Sequence, residues 1–165
     1  MAKISQPMEL FTYKLASIYY VERELAEKVL PELLDEIDNP QLTTGIQAHL
    51  TQTRAHVANL EQAFAILGVE PETEKSSAFD GLVKDHDQLV KKLDVQPLED
   101  IVHAGAAAKT EHFEIAAYEG MIDLARTLGE TEIVQLLEEN LDQEREALEQ
   151  VRQVAKMLGK QPVVA

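Results

Sequence analysis

The chain contains no cysteine and no tryptophan. Without thiols it has no disulfide, no thiolate metal site and no cysteine nucleophile, and a reducing, cytoplasmic setting is the expectation. Glycine (7) and proline (6) are scarce among the 165 residues, so long regular elements can run with few breaks. No stretch of about 18 apolar residues occurs, so no membrane-spanning helix is expected. The stretch from Met1 to Leu10 carries one lysine and no apolar run of signal-peptide length, so no signal peptide is expected either. Positive charge is also short: 15 Lys and Arg stand against 30 Asp and Glu, a formal net charge of −15. A surface this acidic repels nucleic-acid phosphates and anionic lipids, which argues against both as partners. Phosphate-cradling glycine loops, dinucleotide fingerprints and serine nucleophile elbows are missing as well.

What remains is an ordinary globular balance, 45% apolar and 27% charged, in a length that suits one domain over residues 1–165. Apolar residues recur at spacings of three and four, the helical period. A first long helix is expected from about Pro7 to Ile37, with the stripe Phe11, Leu15, Ile18, Glu22, Leu25, Val29 and Leu33, and with Pro31 bending it. Asn39-Pro40 reads as a cap and first turn. The second helix then runs to Leu67, where Gly68 ends it; its stripe is Leu42, Ile46, His49, Thr53, His56 or Val57, Leu60, Phe64 and Leu67.

A shorter helix is expected over Ser77 to Lys92, with Phe79, Leu82, Val83, Leu89 and Val90 inward. Gln96-Pro97 opens the third long helix, which Gly129 ends. The fourth runs from about Glu130 to Leu158 on the stripe Ile133, Leu137, Leu141, Glu144, Leu148, Val151, Ala155 and Leu158. Long helices of roughly 40 to 47 Å, with one long connection between the second and third, describe an all-α four-helix bundle of ferritin-like arrangement.

The informative feature is where some acids fall. Glu22 lies in phase between Ile18 and Leu25, and Glu144 between Leu141 and Leu148. Glu111 and Glu114 share a face with Ala108, Ile115, Tyr118 and Ile122. His49 lies in the second stripe, one turn from Gln52. An isolated buried carboxylate costs several kcal/mol, so each must be paired, protonated or bound to a metal. Taken singly, each glutamate is more often a flank residue or a partner of Lys or Arg; Lys14, Arg54, Lys109 and Arg126 are the candidates. His49 or His56 alone is more often a hydrogen-bonded interface histidine. His86 falls in the connecting segment, and His103 and His112 fall outside the seam of Glu111 and Glu114. Tyr19, Tyr20 and Tyr118 read as packing residues, with a hydrogen bond to a metal ligand as the alternative for one near the site. The coincidence of in-phase polar residues on all four long helices raises the joint reading. Four carboxylates with histidine beside them match two divalent ions of iron, manganese or zinc.

At these residues the chain resembles the ferritin-like YciE/YciF stress-protein family. The resemblance runs from about Met8 to Leu158. It is carried by Tyr19-Tyr20-Val21-Glu22-Arg23-Glu24-Leu25 with Val29-Leu30-Pro31, by His49-Leu50, Thr53 and Leu60-Glu61, by Ala78-Phe79-Asp80-Gly81-Leu82, by Glu111-His112-Phe113-Glu114-Ile115-Ala116-Ala117-Tyr118, and by Leu141-Asp142-Gln143-Glu144-Arg145. It implies a ferritin-like bundle, a homodimer, and a dinuclear metal site with Glu22, His49, Glu111, Glu114 and Glu144 at matching positions. In two places the chain departs from the family: Gln52 stands where a glutamate is usual, and Leu148 where a second acid follows Glu144. His56, one turn beyond Gln52, is the expected substitute ligand. The expected function is therefore metal binding, with iron first and manganese or zinc as alternatives, and with oxidase or peroxide-scavenging activity if the metal is redox-active. The competing expectation is a metal-free structural or interaction protein with a degenerate site.

Overall fold

The computed structural model describes residues 3–160. The elements are α1 (Pro7–Glu24), a π-helical turn (Leu25–Val29), α2 (Leu30–Glu36), α3 (Pro40–Leu67), α4 (Ser77–Val90), α5 (Gln96–Leu128) and α6 (Thr131–Leu158). Rods α1/α2, α3, α5 and α6 pack as the bundle expected from the periodicity, and α4 lies against α5 within the long crossover.

The first rod differs from the continuous helix read off the sequence. Pro31 has no N–H, and its ring crowds the carbonyl four residues back. The turn before it accommodates this by widening: the Leu30 N–H donates to the Leu25 carbonyl, five residues back instead of four. Pro31 then sits in the first turn of α2, where no donor is needed. The other ends follow from local chemistry. The Asn39 side chain accepts from the Gln41 and Leu42 N–H groups at 3.1 Å each, capping α3. Gly68 and Gly129 close α3 and α5 at φ of 69° and 81°, a left-handed conformation that a Cβ disfavours. Val95, not Gln96, occupies the cap of α5; the Gln96 side chain instead donates to the Glu36 carbonyl at 3.0 Å and ties α5 to the end of α2.

The stripes bury as expected. Phe11, Leu15, Leu42, Leu60, Phe64, Met121, Ile133 and Leu137 are all fully or almost fully buried, each contributing about 1.5–3 kcal/mol relative to exposure. Two tyrosines pin α1 to its neighbours: Tyr19 donates to Glu61 of α3 at 2.9 Å, and Tyr20 to Asp80 of α4 at 2.7 Å. On α4, Phe79 is the buried anchor, whereas Leu89, expected inward, is 41% exposed. A 14-residue helix lying mainly along α5 has one narrow inward face, and Leu89 falls beyond it.

Candidate metal centre

Six side chains from four rods converge in the bundle interior: Glu22 of α1, His49 and His56 of α3, Glu111 and Glu114 of α5, and Glu144 of α6. They fall into two adjoining groups. Donor atoms of His49, Glu111, Glu114 and Glu144 lie within 4.8 Å of one another, and so do those of Glu22, His56 and Glu144. Glu144 belongs to both. All six are buried, and Glu22, His56, Glu114 and Glu144 have no exposed surface. The rods dictate this meeting. His49 and His56 are seven residues apart on one face of α3, and Glu111 and Glu114 are three apart on α5, so each pair faces inward together.

The contacts are close but do not satisfy the groups. His49 Nε2 is 3.2 Å from Glu111 Oε1, and His56 Nδ1 is 3.3 Å from Glu22 Oε1 and 3.0 Å from Glu144 Oε1. Beyond the His56–Glu144 contact, one oxygen each of Glu22, Glu111 and Glu144, both oxygens of Glu114, and His49 Nδ1 lack a hydrogen-bond partner. Several buried nitrogen and oxygen atoms thus face one shared interior space without satisfying one another, a donor chemistry suited to a cation.

The basic side chains that would neutralise the acids are elsewhere. Lys109 pairs with Asp85 and Arg126 with Asp123 and Glu138, while Lys14 and Arg54 are exposed. Among the described residues, none of the four buried glutamates pairs with Lys or Arg. Their protonation reflects that isolation. Burial pushes Glu111 and Glu114 well above the usual carboxylate range, helped by hydrogen bonding with Glu144 at Glu111 and by neighbouring carboxylate charge at both. Burial also raises Glu22, against the pull of His56. Burial alone would raise Glu144 too, but hydrogen bonding with His56 and Glu111 and the charge of the two histidines hold it at about 2. His56 is pushed up to about 10, because Glu22 and Glu144 outweigh its burial. Burial lowers His49.

A second layer orients these groups. Tyr118, fully buried on α5, donates to Glu22 Oε1 and accepts from Asn140 Nδ2 at 3.0 Å. Asn140 in turn accepts from Asn59 at 2.7 Å. Gln143 Oε1 faces His56 Nε2 at 3.0 Å. That contact puts a proton on Nε2, so in the neutral ring the lone pair sits on Nδ1, facing Glu22 and Glu144. Thr53 donates to the His49 carbonyl at 2.9 Å. Gln52 is half-buried beside His49, and Leu148 packs in the apolar core.

Tyr118 is therefore more than packing. Asn140 and Gln143 escaped the sequence reading, although Asn140 is one turn before Glu144 and seven residues after Ile133, in phase with the buried stripe. His112 is exposed. His103 stands outside the Glu111/Glu114 group, as expected, but is fully buried against His86 of α4.

Fold and site together define a ferritin-like helical bundle with a carboxylate–histidine cluster on its axis. The profile of a domain of unknown function, DUF892, matches residues 6–163, and the chain belongs to that family, which is the YciE/YciF stress-protein family. Protein YciF of Escherichia coli K12 is 28% identical over 143 residues, covering 83% of this chain and 82% of that protein. The solved structure of the E. coli stress protein YciF matches with a TM-score of 0.89 at 24% identity, over 96% of this chain and 100% of the other. YcfI of Rhodopseudomonas palustris, described as a candidate structural protein, matches with a TM-score of 0.86 at 30% identity over 98% of both chains.

Proposed function

We propose that this stress-family protein binds two divalent metal ions, which Glu22, His49, His56, Glu111, Glu114 and Glu144 would hold, Glu144 being common to both donor groups. Iron is the first choice of metal, and manganese and zinc are the alternatives. One observation carries the reading: even with the His56–Glu144 contact made, six buried side-chain atoms of this cluster lack a hydrogen-bond partner among the described residues. Folded interiors rarely leave such atoms unmatched, and six in one place call for a shared cation.

Two redox-active ions in such a cage would supply the electrons for oxidase or peroxide-consuming chemistry. The protein's own part is to orient and to trade protons. Gln143 holds His56 so that Nδ1 faces Glu22 and Glu144. In the metal-free protein His56 Nδ1 shares its proton with Glu22 and Glu144, and this nitrogen would give up that proton on serving as a metal ligand. Tyr118 and Asn140 fix Glu22 in the same way. We also propose that the chain works as a homodimer in the cytoplasm, which size-exclusion chromatography with light scattering and cell fractionation would test.

The deciding experiment is elemental analysis after anaerobic loading with ferrous iron. About two equivalents per chain are expected, and less than about a tenth of an equivalent of any transition metal would refute the reading. A metal-free structural role is the second reading. Gln52 and Leu148, an amide and a hydrocarbon at positions where acids are usual in the family, favour it. It predicts that substituting Glu22 or Glu144 alters stability alone.

A further inference from the structure

Outside the inner cluster, Nε2 of His103 on α5 is also buried without a hydrogen-bond partner. His103 has no exposed surface, and its Nδ1 lies 2.9 Å from His86 Nε2 of α4, with the ring centroids 5.1 Å apart. Glu36, the last residue of α2, brings a carboxylate to the same point: one donor atom from each of Glu36, His86 and His103 lies within 4.8 Å of the others. Asp87 Oδ1 stands 3.1 Å from His86 Nδ1. With Nδ1 turned to that carboxylate, as second-layer carboxylates orient metal-binding imidazoles, Nε2 accepts a hydrogen bond from His103 Nδ1, and an ion between the two rings would take the place of that shared proton.

The spacing suits an ion. Two imidazole nitrogens at about 2.0–2.1 Å from one metal are about 2.9–3.4 Å apart across octahedral to tetrahedral angles. The existing separation needs an opening of a few tenths of an ångström at most. Two imidazoles and one carboxylate form a three-ligand set that leaves a position for water, as borderline divalent ions prefer. The location adds a role. One pocket between α2, α4 and α5 is lined by Glu36, His86 and Asp87 and also by His49 and Glu111 of the buried centre.

We propose that Glu36, His86 and His103 form a second cation site for one divalent transition ion, standing on the entry side of the buried centre. The site is independent of the inner centre, whereas the entry role rests on the function proposed above.

Cobalt(II) titration of the full chain, followed by visible absorption and elemental analysis, tests both. Wild type should bind one more equivalent than His86→Ala, and Glu36→Gln should weaken that ion at least about tenfold. His86 is part-buried and Glu36 exposed, and the second substitution keeps shape and leaves ring packing untouched. Glu144→Gln should retain the His86-dependent ion while losing inner ones. Equal stoichiometry in wild type and His86→Ala overturns the site, as does loss of that ion in Glu144→Gln. At limiting cobalt, His86→Ala should also slow filling of the inner centre several-fold; equal rates overturn the entry role.

Discussion

Replacing Glu114 by methionine should make the metal-free protein more stable and the metal-loaded protein less so. Glu114 is fully buried, both its oxygens lack partners, and Glu144, Glu22 and Glu111 crowd it with like charge. In the absence of metal it must stay protonated or bear that repulsion. Exchanging buried ionisable groups for apolar residues of similar volume is often stabilising by about 1–4 kcal/mol, and methionine's unbranched chain follows the glutamate path. For a domain of this size each kcal/mol moves the melting temperature by about 2–4 °C. Metal reverses the order. A ligand at 100 times its dissociation constant adds about 2.7 kcal/mol to wild type, and a variant missing one ligand gains less. The assay is calorimetric melting of both proteins, chelator-treated and with ferrous or zinc ion added. The reasoning fails if Glu114→Met melts below wild type without metal, or if both proteins gain equally from metal.

Further outcomes follow from the same geometry. Glu22, Glu111 and Glu114 hold protons more tightly folded than unfolded, so their contribution is full below the ordinary carboxylate range and lost as pH rises through their raised values. His56, raised to about 10, contributes fully below its ordinary value and loses that contribution towards pH 10. Chelator-treated protein should therefore gain stability in urea titrations as pH falls from about 8 to about 5; a flat or opposite trend contradicts the assignment. Glu144, held at about 2, loses its contribution only in stronger acid. Tyr118→Phe removes the donor to Glu22 and the acceptor for Asn140, and should cost about 1–3 kcal/mol in the same titration. Gln143→Leu should weaken metal binding about 10- to 100-fold by releasing the His56 ring, read by competition with a metal indicator.

Helical periodicity made most of this legible before any coordinates. Glu22 and Glu144 sit in phase with their apolar stripes, and both are fully buried in the bundle. His56 was ambiguous with Val57, because consecutive residues flank one stripe; the rotation of α3 decides for His56. The π-turn was not legible, since Pro31 announces a disturbance but not where the ladder absorbs it. Nor was the pairing of His86 with His103, 17 residues apart on two helices whose packing angle no local pattern encodes. Gln143 and Asn140 act through contacts with α3 and α5, and so emerge only from packing.

Gln52 and Leu148 look like losses when set against the family pattern, but the charge of the cluster gives them another meaning. Four buried glutamates carry four negative charges at most, and two divalent ions carry four positive ones. A further acid at position 52 or 148 would leave net negative charge in a bundle interior where none of the four glutamates pairs with Lys or Arg among the described residues. His49 and His56 instead add neutral nitrogen donors, completing coordination without adding charge. His56 also keeps the metal-free state tolerable, since its proton takes the place of a cation between Glu22 and Glu144. On this reasoning Gln52→Glu should not strengthen divalent binding. It should raise the pH needed for loading, because the added acid must lose its proton beside four others.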